Sequence, residues 1–312
     1  MTITVIGHPC YDVIEQPDGK ETQSPGGIFF TVSTFANLLR DNDRILPVFG
    51  VGKADYDDFI ESLKRYPNVD TSGIFKFNGQ TNRVRLTYSS NEKRIECSKH
   101  IAEPIPWKKI KPYLETDLIL LNMISGFDIN LETLDEIRME VRDNKTPIYL
   151  DVHCLPCGVR EDFTRYYKAV ETWRRWLFML HAVQMNEAET ASITGQKLSD
   201  EQLANQILAL DTKALHITRG KLGSTAFIDV HKQIKRIDFP AFEPDAATDT
   251  TRCGDVFGAA YCAYYLKSKD ISAATKFANR VASFNAQLPG SQQIEKLSKF
   301  SVYDFSETEI KL

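Results

Sequence analysis

The run Asp249-Thr250-Thr251-Arg252-Cys253-Gly254-Asp255 is polar and turn-forming, and it leads straight into an almost unbroken apolar segment, Val256 to Leu266. That segment reads as a buried helix, which places Asp255 in its first turn among backbone N–H groups without an intrahelical partner. Such a helix start binds anions. A carboxylate there can take a proton from a hydroxyl, while the amides of Arg252, Cys253 and Gly254 receive charge developing on a transferring phosphoryl group. The competing reading is an Asp that only caps a core helix.

Other residues invite similar pairs of readings. In Met185-Asn186-Glu187-Ala188-Glu189 a strand ends, a helix begins, and Asn186 and Glu189 lie one turn apart on the same face. Hard oxygen ligands there suit a largely hydrated Mg²⁺, although an acid-rich helix start also satisfies the dipole. Asp12 follows the β-branched run Thr2–Ile6, at a strand's carboxyl end, where open α/β sheets bind ligands. Its carboxylate can accept from two adjacent hydroxyls, or it can be a turn residue. Gly26 and Gly27 follow Pro25 and precede the helix-like Ile28–Leu39, so backbone can approach a ligand closely. Thr218, Gly220 and Gly223 form a turn between the strand-like Ala214–Thr218 and Ser224–Asp229, a pattern that ordinary hairpins share. His153, alone at a strand end, and Lys53, in a loop, read as structural and solvated respectively. Cys154 and Cys157 make a CxxC without the second ligand pair that zinc needs, so they read as incidental thiols.

The elements that must position these residues alternate. Strand-like runs at Thr2–Ile6, Ile45–Phe49, Leu118–Leu121, Pro147–Asp151, Ala182–Met185 and Ala214–Thr218 are separated by helical patterns. The latter run from Gly50–Asp55 through Arg65, then over Asn130–Asp143, Arg160–Phe178, Ser199–Leu210 and Ala273–Gln287. This βαβ order predicts a parallel sheet covered on both faces. Tyr166, Tyr167, Trp173 and Trp176 recur at helical spacing and read as packing. Asn82–His100 alternates around a turn at Ser89–Glu92, a hairpin that must lie off the main sheet, and Asp18-Gly19 signals another. Arg83, Arg85 and Arg94 lie on the first of these, either to hold a substrate phosphate or to discourage edge pairing. Beyond Gly290 the chain is polar and carries no assignable role.

The 312 residues carry 38 basic and 42 acidic side chains, a net charge of −4, so neither nucleic acid nor an acidic membrane is expected as a partner. No run is long enough to span a bilayer, the first residues do not read as a signal peptide, and six cysteines without framework spacing fit a reducing cytoplasm.

The run ending at Asp255 resembles the second signature of the ribokinase-like (PfkB) carbohydrate kinases, Asp-Thr-x-Gly-Ala-Gly-Asp. Asp12, Gly26-Gly27, Asn186-x-x-Glu189 and Thr218-x-Gly220-x-x-Gly223 resemble that family's other motifs, in order, from about Ile3 to Gly290. The resemblance implies one α/β domain over 1–312, with a doubly wound, mostly parallel sheet, helices on both faces, and a small β lid from about 10–25 and 80–100. It also implies transfer of the ATP γ-phosphoryl group to a hydroxyl of a sugar, inositol-like polyol or nucleoside. Asp255 would be the general base; Asp12, Gly26, Gly27 and Thr31 would hold the acceptor. Thr218, Gly220, Gly223 and Asn279 would lie at the nucleotide, and Asn186 with Glu189 would place Mg²⁺. A monovalent cation near Asp249 and a lid-to-lid homodimer are further implications. Three positions depart from the family pattern. Thr31 stands where the family has a sugar-touching Asn, which argues against a ribose-like acceptor, and His153 stands where it has Asn. Arg252 stands where it has Gly, Ala or Ser, so a catalytically silent sugar or nucleotide sensor is the alternative.

Overall fold

β-Branched and apolar residues open the chain as strand β1 (Thr2–Ile6), with Ile3, Val5 and Ile6 buried. The computed structural model describes residues 1–15, 21–88, 94–231, 233–246, 252–288 and 290–305. Strands β2 (Pro9–Glu15) and β3 (Glu21–Gly27) leave the main sheet, and helix α1 (Ile28–Leu38) follows directly. Next come β4 (Arg44–Gly52), α2 (Tyr56–Leu63) and β5 (Ile74–Phe77), then the hairpin strands β6 (Asn82–Tyr88) and β7 (Arg94–Lys99). The chain continues through α3 (Trp107–Ile110), β8 (Leu118–Asn122), α4 (Leu131–Val141) and β9 (Ile148–Asp151). A short antiparallel pair, β10 (Cys157–Val159) and β11 (Arg165–Tyr167), precedes α5 (Trp173–Trp176). Then come β12 (Ala182–Asn186), α6 (Glu187–Ile193), α7 (Asp200–Leu208) and β13 (Ala214–Thr218). The last regular elements are β14 (Ser224–Val230), β15 (Gln233–Phe239), α8 (Cys253–Ser268) and α9 (Ile271–Asn285).

Nine strands form the central sheet in the order β15-β14-β13-β12-β9-β8-β1-β4-β5. The seven from β13 to β5 run parallel, while β14 and β15 add an antiparallel edge. All five residues of β8 are buried, so both pleat faces are covered, as a parallel sheet requires. Helix α8 is apolar nearly all round and packs against α1, α9, β8 and β9. A second sheet, β3-β2-β6-β7, stands off the first as the lid. The turn signals Asp18-Gly19 and Ser89–Glu92, and Asp249, lie outside the described residues.

The sheet and lid follow the expected pattern, with differences that have local causes. No long helix spans Arg160–Phe178. Asp162 instead accepts from both the amide and the hydroxyl of Thr164 (3.0 and 2.6 Å), and Phe163 takes φ 69°, so the chain turns back as β10–β11. Trp173 and Trp176 are packed in the core as read, but Tyr166 and Tyr167 stand on β11 and are exposed. Asp12 lies within β2, not in a turn. The tail past Gly290 is not idle: Ile294, Leu297 and Phe300 are buried, and its helical turns pack on α1. Among the described residues no helix is long and apolar enough to cross a membrane.

Candidate active site

The carboxyl ends of the parallel strands open onto a cleft of ≈ 1060 Å³, where loop backbone and side-chain chemistry concentrate. Its walls include Asp255, Gly254, Cys253 and Arg252 from the start of α8, Asp151 and His153 from the end of β9, and Asn186 and Glu189 around the start of α6. Thr218, Gly220, Gly223, Phe242 and Asn279 line it further along.

Asp255 sits in the first turn of the 16-residue α8, buried, beside the free amides of that turn. Asn122, the last residue of β8, donates through Nδ2 to Asp255 Oδ1 at 2.7 Å and also reaches Thr31 Oγ1 at 3.2 Å. Burial pushes the Asp255 carboxyl above its ordinary range, while His153, the Asn122 hydrogen bond and Arg252 oppose that shift. Gln184 braces the same turn: its Nε2 donates to Gly254 O (3.0 Å) and Asp151 Oδ2 (3.3 Å), and Tyr149 holds its Oε1 (2.7 Å). Burial also lifts Asp151 to about 7. Asn122 and Gln184 are residues the motif reading missed, whereas Asp151 matches the Asp of the family's Asp-x-Asn at the end of this strand. Asn122 left one signal, a polar residue ending an apolar strand at its carboxyl end.

Arg252 adopts the left-handed region (φ 70°, ψ −3°) at the N-cap of α8, a conformation that ordinarily favours glycine. What holds it is its side chain. The guanidinium donates through Nε (3.0 Å) and Nη2 (2.7 Å) to Asp12 Oδ2 and lies over the Phe30 ring at 4.6 Å. Both members of the pair are nearly buried, at 8% and 9% side-chain exposure. Asp12 and Arg252 are therefore one unit. Gly26 makes room for it, since a Cβ there would fall 2.5 Å from Asp12 Oδ1. Gly27 caps α1 at φ 58°. Of the four expected acceptor residues, none lines the main cleft: Asp12 lies behind Arg252, and Thr31 is fully buried within α1.

Asn186 is the N-cap of α6 and closes a reciprocal box with Glu189. The Glu189 amide donates to Asn186 Oδ1 (2.9 Å), and the Asn186 amide donates to Glu189 Oε2 (2.8 Å). Burial, then the nearby Asp151 carboxylate, hold the Glu189 carboxyl well above its usual range. At the far end, Gly223 turns at φ 96°, where a Cβ would meet Phe239 O at 2.0 Å. Asn279 on α9 accepts from Ser224 Oγ (3.1 Å) and donates to Pro240 O (2.7 Å), so it braces the turn beside the cleft. On the lid, Arg83 is occupied by Asp55 (2.6 Å) and Tyr11, and Arg85 pairs with Glu21; the Arg94 side chain lies outside what is described. Both lie on β6, an interior strand of the lid sheet and not an edge: Arg83 ties the lid to Asp55 at the start of α2, and Arg85 pairs with Glu21 on β3.

Comparison with known proteins agrees with this architecture. The pfkB family of carbohydrate kinases matches residues 2–297. A cytidine kinase of Thermococcus kodakarensis is 25% identical over 281 residues, 87% of this chain and 91% of that protein. A pyrophosphate-dependent kinase of the ribokinase family, solved with a pyrophosphate analog and myo-inositol, superposes with a TM-score of 0.75 at 20% identity, over 95% of this chain and 99% of the other. Arabidopsis thaliana ribokinase, solved with ribose and ATP, superposes with a TM-score of 0.70 at 18% identity, over 96% and 99%. This chain belongs to the pfkB family of carbohydrate kinases, phosphotransferases that act on a hydroxyl acceptor.

Proposed function

We propose that the protein transfers the γ-phosphoryl group of ATP to a hydroxyl of an inositol-like polyol, a sugar or a nucleoside. The observation that carries this reading is Asp255, a buried carboxylate in the first turn of α8, oriented by Asn122 and facing the cleft. Asp255 takes the acceptor proton, and the amides of Arg252, Cys253 and Gly254 stabilise the charge on the transferring phosphoryl group. The donor lies along Thr218, Gly220, Gly223 and Asn279, where Ala282 and Ala286 keep the cleft wall small and Phe242 offers a ring. The acceptor lies toward Asp12, Gly26, Gly27 and Thr31. For it to reach Asp12, the Arg252 guanidinium must share that carboxylate or leave it.

The donor set at Asn186 and Glu189 fits Mg²⁺: a carboxylate and an amide oxygen border the cleft, and each Glu189 oxygen keeps a lone pair beyond the capping box. When bound there, Mg²⁺ neutralises charge on the donor phosphates. Relatives named as a cytidine kinase and a ribokinase favour catalysis over a silent binding role.

The test is a donor and acceptor screen. ATP and pyrophosphate, each with Mg²⁺, are offered with pentoses, hexoses, inositols and nucleosides, and phosphorylated product is measured. ATP with at least one acceptor should give product, and Asp255→Asn should cut turnover about 10²–10⁴-fold without unfolding the protein. Full activity in that variant would overturn the base assignment, and product from pyrophosphate alone would overturn the donor.

A further inference from the structure

One titratable side chain beside Asp255 has no part in the scheme above. His153 follows β9 at φ 39°, a left-handed conformation that costs a non-glycine residue on the order of 1 kcal/mol and persists where its surroundings fix it. One atom of its imidazole and one carboxylate oxygen each from Asp151 and Asp255 all lie within 4.8 Å of one another. Both carboxylates are buried, Asp151 at 3% and Asp255 at 5% exposure. Two buried carboxylates this close cannot both ionise cheaply without a cation between them.

The two arginines nearby are paired with other carboxylates. Arg252 is held by Asp12, and Arg165 on β11 pairs with Glu96 of the lid. Glu96 and Arg165 face His153 from β7 and β11, and Cys157 faces it from β10. Glu189 on α6, and Asp12 on β2, face Asp255.

We infer that His153 is a positioning residue for phosphoryl transfer, its imidazolium close to both Asp151 and Asp255 and so keeping the base ionised and aimed at the cleft. This rests on the kinase reading above. Burial alone would lower the His153 pKa, but the Asp255 and Asp151 carboxylates outweigh it and raise it above the ordinary value. The imidazolium in turn opposes the upward push of burial on Asp255. Asn in this place would offer hydrogen bonds but no charge.

Two measurements test the assignment. The first is the pH dependence of kcat/KM for the natural protein and His153→Asn. With the cation gone, Asp255 needs a higher pH to ionise, so the acid limb should move up by about one pH unit or more, with activity largely recovered at high pH. An unmoved acid limb with a uniformly lower plateau would mean a structural role only and would overturn the inference. The second needs no turnover: an NMR titration of ¹³C-labelled histidine in the natural protein and in Asp255→Asn. Removing the carboxylate should lower the His153 midpoint; an unchanged midpoint would sink the pairing. If no acceptor is ever phosphorylated, the kinase reading fails while this titration still decides whether His153 and Asp255 are coupled.

Discussion

Asp255 can act as a base only while ionised, and its surroundings pull both ways: burial raises its pKa, while His153, Asn122 and Arg252 favour the charge. Activity should therefore vanish on the acid side at a pH above that of an exposed aspartate, because the protonated form cannot accept the acceptor's proton. Arg252 sharpens the argument. Its left-handed backbone costs about 1 kcal/mol, offset by the two-pronged bond to Asp12 and the Phe30 ring beneath. Arg252→Lys keeps the charge but loses the fork, and kcat/KM should fall roughly tenfold or more. Arg252→Gly relieves the backbone yet strands Asp12 among buried neighbours, so it should lower both stability and turnover. A gain of activity in the glycine variant, measured by phosphorylated product, would instead mark Arg252 as an obstruction. The run before α8 announced Asp255 because turn-formers followed by a long apolar stretch specify a helix start locally. Its partner Asn122 is 133 residues away in the chain, and no local pattern encodes that meeting.

At the scale of elements, the start of α6 shows how one motif supports two readings. Asn186 and Glu189 satisfy each other as a capping box, which by itself explains their spacing. The metal reading adds a second demand, because Glu189 is buried at the cleft with its carboxyl pushed upward. Asn186→Ala removes the cap and should cost about 1 kcal/mol in urea unfolding. If the pair also places Mg²⁺, the same variant should need a higher Mg²⁺ concentration for half-maximal turnover; an unchanged requirement would leave the box as a cap alone. Strands such as β8 and β12 were legible because buried parallel strands read as continuous apolar runs. The β10–β11 hairpin was not, since its aromatics imitate a 3.6-residue period and its turn rests on local bonds among Arg160, Asp162, Phe163 and Thr164. Strands β5 and β15 were missed as well. Both lie at sheet edges, and Gln233–Phe239 is largely exposed, so neither leaves a strong apolar signature.

Across the whole molecule, the far end of the chain is tied back to its beginning by one carboxylate. Asp43, between α1 and β4, accepts from the Tyr303 hydroxyl at 2.8 and 2.7 Å, from the Arg40 amide at 2.9 Å, and from the amino group of Met1. The Val302 amide meets Leu38 O at 3.0 Å, and Phe305 stacks edge-on against Phe277 of α9, so this segment fastens α1 to α9, which packs on the helix α8 that carries Asp255. Burial alone would raise the Asp43 pKa, but the amino group, the Tyr303 hydroxyl and the Arg40 amide outweigh it and hold the carboxyl below its ordinary value. A carboxylate with a depressed folded pKa stabilises the fold above its unfolded pKa of about 3.9 and stops doing so as pH falls through the folded value. Asp43→Asn should thus cost about 1–2 kcal/mol at pH 7, the worth of a hydrogen-bonded charge, and progressively less below about pH 4. Urea midpoints of both proteins from pH 7 down to pH 3 would show it. A gap that stayed constant across that range would mean that packing, not the charge of Asp43, fastens the tail to α1.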